Sequence, residues 1–171
     1  MKKTLWLYPL IFVLSILILP AGVLAHDPYD DNPIDASFNK IFDEPLKTSE
    51  YNYITARQVA HWQAEFYNIA ALLKDRYNFK EDKQKISDFV AIVDKQAKTL
   101  SEMEKINWSD FEQPPAKRTY GTGAVSAMRN TEAATYRAGF FLLLANFNYH
   151  PDVKYEYIFK ESPLDRRPNE I

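Results

Sequence analysis

From residue 33 onward, apolar side chains recur every three or four positions, the period of a helix that buries one stripe. Ile34, Phe38, Ile41 and Phe42 form the first stripe. Asn32 and Pro33 suit the start of that short helix, and Pro45 stops it. Ile54, Val59, Trp62, Phe66, Ile69, Ala70, Leu73 and Tyr77 then predict a helix over about residues 49–77. Arg57, His61, Glu65 and Asn68 fall on or beside its other side, a spacing that suits a solvated, ion-paired face. Asn78 with Glu81 three positions on reads as the next helix start. Ile86, Phe89, Val90, Val93, Ala97, Leu100 and Met103 are the apolar side of the helix that follows, so the two long helices form an antiparallel hairpin.

Pro114 and Pro115 make residues 108–118 a linker. Tyr120, Gly121, Thr122 and Gly123 lead into a last helix over residues 124–148, which ends before Pro151. Residues 138–145 of that helix carry no charge, and a helix apolar all round is expected to be surrounded by others. The run is too short to cross a bilayer and is read as the buried end of a central helix, with the more one-sided helices packed around it. After Pro151, Val153, Tyr155, Tyr157 and Phe159 alternate with polar residues. No second convincing strand is available to pair with them, so they are expected to lie on the bundle as an aromatic strap. The prediction is a single all-α domain over residues 33–160, three main helices plus a short N-terminal one in an up-and-down bundle, followed by a loose tail at 161–171.

The N-terminus changes the picture of where this domain works. Met1, Lys2 and Lys3 precede an uncharged, mostly aliphatic stretch that ends Val23-Leu24-Ala25, the pattern of a secretory signal peptide cleaved after Ala25. The alternative is an uncleaved anchor, the one case in which a membrane enters as a partner. Both place the domain outside the cytoplasm, periplasmic or secreted, with residues 26–32 as a flexible leader. Cleavage leaves 146 of the 171 residues and takes the formal charge from −2 to −4, since two lysines are lost and no acid. Mild acidity without a basic run argues against nucleic acid. With no cysteine, neither a disulfide nor a thiolate metal site can form, and the core must hold the domain.

Candidate chemistry is sparse. Gly121 and Gly123, near Lys117 and Arg118 at a helix start, could cradle an anion, although glycines there most often just make the turn. The last helix holds a sharper oddity. The line through Phe147, Leu143 and Phe140 continues backward to Tyr136, Glu132 and Arg129, so one stripe turns from apolar to charged. Charged residues usually mark solvated surface. The alternative is a polar pocket lined by Arg129, Glu132 and Tyr136, with the first two spaced to pair along the helix. His26 becomes the mature N-terminus after cleavage, and its amine and imidazole could chelate copper(II) if His61 or His150 approached. No zinc spacing, nucleophile elbow or other catalytic signature occurs, and no cofactor is implied. The expectation is a non-catalytic extracytoplasmic helical protein that binds another protein or an envelope component, with Tyr67, Tyr149, Tyr155 and Tyr157 as plausible contacts. The alternative is a periplasmic carrier of a small polar ligand or copper.

Overall fold

The computed structural model describes residues 32–110, 112–149 and 153–166. The predicted signal segment, the leader before Asn32, His26 and His150 lie outside the described residues. Among those described there are four α-helices and no sheet: α1 (Pro33–Phe42), α2 (Thr48–Arg76), α3 (Lys80–Asn107) and α4 (Thr122–Asn148). The protein is an all-α bundle. No described helix is long and apolar enough to cross a membrane.

Local chemistry explains most boundaries. Asn32 caps α1 by accepting from the Asp35 amide at 2.8 Å, ahead of Pro33 at the first helical position. Glu50 caps α2 from inside, accepting from the Lys47 amide at 2.8 Å. The start of α3 departs from expectation, since its N-cap is Phe79 rather than Asn78 and no side chain caps it. The linker between α3 and α4 contains a 3₁₀ turn at Pro115–Lys117, where proline occupies the position that tolerates it.

Helix α4 lies between α2 and α3 and packs most extensively on α2. Trp62 packs against Phe140 and Phe141 in tilted pairs, with ring centroids 5.6 Å apart in both cases. Phe66 meets Phe89 of α3 and Tyr136 of α4. The close approach of the three helices is set at Gly139, where an added Cβ would lie 2.9 Å from the Phe66 ring and 3.2 Å from Val93. Helix α1 is held by Asp35, whose carboxylate accepts from Arg137 at 2.6 Å, from Asn32 at 2.7 Å and from Trp62 at 3.2 Å.

Two faces differ from expectation. The buried line of α3 runs through Ile86, Val93, Ala97 and Ser101, so Leu100 and Met103 lie to one side of it and are exposed. The run at 138–145 is not surrounded either. Phe140, Phe141 and Leu143 are buried, but Ala138, Leu142 and Ala145 form an exposed apolar line on α4.

Candidate functional site

The residues singled out as a polar pocket do not converge. Arg129 donates to the Asn52 carbonyl on α2, not to Glu132. Beside it, Ser126 donates to the Asn52 side chain. Tyr136 lies about 10 Å further along α4, two helical turns from Arg129. It is buried, donating to Asp94 at 3.1 Å and accepting from Gln63 at 3.1 Å. Burial, with Tyr67 and Asp94 beside it, pushes the Tyr136 hydroxyl well above its ordinary range. Glu132 is half-buried, within electrostatic reach of Lys105. Gly121 is the exposed N-cap of α4, and Gly123 packs on Trp108. Arg129 thus ties α4 to α2, and Tyr136 belongs to the core.

The polar side of α2 is not a solvated face. It is the seat of the C-terminal strap, which runs antiparallel to the helix. Asn68 donates to the Tyr155 hydroxyl at 2.9 Å, and that hydroxyl donates to Glu65. Glu65 is fully buried and also accepts from the Phe159 amide at 2.6 Å. His61 and Arg57 bond one oxygen of Asp165, at 2.7 and 3.0 Å. Tyr53 donates to the Leu164 carbonyl at 2.9 Å. Asp165, left in the tail by the sequence reading, is fully buried and closes a capped turn over Pro163–Asp165. Between these anchors Tyr155 and Tyr157 pack on Phe140, so they are half-buried core members rather than open contact residues. His61 commits Nε2 to Asp165, which leaves only Nδ1 for the imagined copper site. Among the described residues no cluster of three or more His, Asp or Glu could hold a metal.

The two fully buried carboxyls, Glu65 and Asp165, respond to pH in opposite senses. Burial alone would raise Asp165, but hydrogen bonds from His61 and from the Ser162 amide and hydroxyl hold it below its ordinary 3.8. Its contribution is present above that value and is lost as pH falls through the lower folded one. Glu65 is raised above its ordinary 4.5 by burial, which outweighs the donors from Tyr155, Phe159 and Ile158. Its contribution is complete below 4.5 and falls as pH rises through the higher folded value. Both are complete only between 3.8 and 4.5. Hydrogen-exchange protection of residues 153–166, relative to the bundle core, is therefore expected to peak in that mildly acidic window. Asp165→Asn should flatten the acid side of the peak and Glu65→Gln the alkaline side.

An apolar surface open to a ligand lies at the hairpin end. A groove of about 360 Å³ opens between α2, α3 and α4. Its floor is Leu73, Ile86, Phe89 and Leu143, and Leu142 stands at its edge with 65 % of its surface exposed. Polar groups sit along the groove: the Tyr77 hydroxyl donates to Asn146 at 2.9 Å, and Asp82 pairs with Lys85 at 3.2 Å. A second depression of about 320 Å³ shares Leu73, Tyr77 and Asp82 and is bordered by Phe79, itself 70 % exposed. Arg76 stiffens this end, donating to the Phe147 carbonyl at 2.9 Å with its guanidinium 3.4 Å from the centre of the Phe147 ring. Sequence reasoning missed the groove, although a signal existed. Leu142 lies off the line of Tyr136, Phe140, Leu143 and Phe147, so the run carried more apolar surface than one buried face uses. No family model, no curated protein and no solved structure matches the chain.

Proposed function

We propose that this chain is a non-catalytic, extracytoplasmic binding module that takes apolar side chains of a partner protein into the groove between α2, α3 and α4. The observation that carries the reading is the exposed line of α4. Leu142 adds its side chain to a groove floored by Leu73, Ile86, Phe89 and Leu143, a continuous apolar surface with a polar border. Asp35, Glu65 and Asp165 are engaged in holding α1 and the strap, which gives these three carboxylates a structural role consistent with that reading. The compartment rests on the secretory pattern of residues 1–25.

A photo-reactive residue at position 142, in the protein expressed in its own host, is expected to give a discrete cross-linked adduct with one polypeptide. The same residue at exposed position 98 on α3 should give none. Leu142→Glu should abolish binding of that polypeptide while leaving the melting temperature within about 2 °C, since the leucine is already mostly in water. An adduct equally strong from position 98, or none from position 142, ends the proposal.

A further inference from the structure

At the other end of the bundle three elements meet: the first turn of α2 at Thr48 and Tyr51, the C-cap of α3 at Trp108, and the first turns of α4 at Gly123, Ser126 and Asn130. They enclose a shallow depression of about 380 Å³. Counted along α4 from Asn130 to Leu142, it lies about 18 Å from the apolar groove. The two surfaces are thus independent.

Trp108 is held as a platform. The bridge between Ser109 and Tyr120 closes the linker at its base. The indole N–H donates to Glu104 at 3.2 Å, which fixes the direction of the ring. Gly123 backs part of the same ring, and a Cβ there would sit 3.3 Å from it. Even so, 56 % of the Trp108 surface stays exposed. Across the depression, Asn130 donates to the Tyr51 hydroxyl at 3.1 Å, so one aromatic and one amide are locked together. Ser126 is anchored to Asn52, and Thr48 and Asn130 are exposed.

The chemistry of this lining differs from that of the groove. It combines aromatic surface with hydroxyl and amide groups, and none of the side chains named as lining it is charged. A phosphate or carboxylate ligand would find no cation in it to offset its desolvation. A purely apolar segment would strand the Thr48 and Asn130 groups. A sugar ring satisfies both requirements. Its axial C–H bonds present a slightly positive face to the negative face of an aromatic ring, while its equatorial hydroxyls reach sideways to amides and hydroxyls. The shallowness of the depression suits a chain of such rings lying across the surface.

We propose that this depression is a binding site for a neutral carbohydrate chain, with Trp108 as the stacking platform and Tyr51, Asn130 and Thr48 as hydroxyl partners. Calorimetric titration of the purified protein with cellohexaose and with chitohexaose tests it. At least one of the two should give saturable heat, together with a saturable change in tryptophan emission. Trp62 is fully buried, so a change arising in the folded domain reports on Trp108. Trp108→Ala should remove the heat, and Asn130→Ala should weaken binding by about tenfold, the loss expected for one hydrogen-bonding side chain. Trp108→Phe, which keeps a ring, should retain the heat while losing the emission change. Absence of saturable heat with both oligosaccharides to millimolar concentration overturns the proposal, as does heat undiminished in Trp108→Ala. Neither result bears on the apolar groove, which is read through position 142.

Discussion

Glu65→Ala is expected to lower the free energy of unfolding by about 3 kcal/mol or more, measured by urea denaturation at neutral pH. Glu65 is fully buried, and its carboxylate is the acceptor on which two parts of the strap converge, the Phe159 amide at 2.6 Å and the Tyr155 hydroxyl. Alanine leaves that amide and that hydroxyl without an acceptor. Each stranded buried donor costs about 1–3 kcal/mol, and the void left by the shortened side chain adds to it. Glu65→Gln keeps the volume and one acceptor but turns an amide donor toward groups that are themselves donors, so an intermediate loss of about 1–2 kcal/mol is expected. Tyr155→Phe removes one of the donors. In a double-mutant cycle it should therefore show about 1 kcal/mol of coupling with Glu65→Gln. A midpoint unmoved by Glu65→Ala would mean that the strap is not seated on α2.

Gly139→Val should cost about 3 kcal/mol in the same assay, despite replacing glycine in the middle of a helix. In an open helix a side chain at that position would gain a few tenths to 1 kcal/mol in propensity. Here an added Cβ alone would come within 2.9 Å of the Phe66 ring and 3.2 Å of Val93. Phe66 has no exposed surface and no free direction to move, being packed against Phe89, Tyr67 and Tyr136. The two γ-carbons of valine enlarge the clash, and α4 can only answer by moving off α2 and α3. Gly139→Ala should show the same sign at about half the size, because the propensity gain offsets part of the overpacking. A Gly139→Ala protein more stable than the parent would show that the three helices are not in close contact there.

The all-α class was readable because it rests on local periodicity. Trp62, Phe66, Ile69 and Leu73 repeat with the period of a helix whatever surrounds them, and Asn32 with Pro33 marks a helix start through bonds made within four residues. The strap was readable for a related reason, since an alternating aromatic segment without a partner strand has to bury its rings on something. The copper, pocket and anion readings had no such support. Arg129, Glu132 and Tyr136 share one face of α4, but sharing a face says nothing about what stands opposite. For Arg129 that is a backbone carbonyl of α2, and for Tyr136 it is Asp94 of α3.

The side of α2 bearing Arg57, His61, Glu65 and Asn68 draws the line most clearly. A single helix with those residues at those spacings is the same sequence whether the stripe faces water or another part of the chain, because polarity along one helix reports only which groups need partners. Those partners came from residues 87 to 108 positions away, as in the pairings of Asn68 with Tyr155 and of Arg57 with Asp165. The same holds for the surplus apolar surface of α4. The sequence by itself determined how many helices form over residues 32–149, where they start and stop to within about two residues, and that the last one carries an uncharged apolar run over residues 138–145, since these follow from contacts within a few residues. Only the tertiary structure decided that Leu142 borders an open groove while Leu143 is buried, and that Trp108 faces outward beside Tyr51 and Asn130. Those outcomes depend on how far and at what angle three helices approach, and that is set by a contact such as Gly139 against Phe66, between residues 73 positions apart.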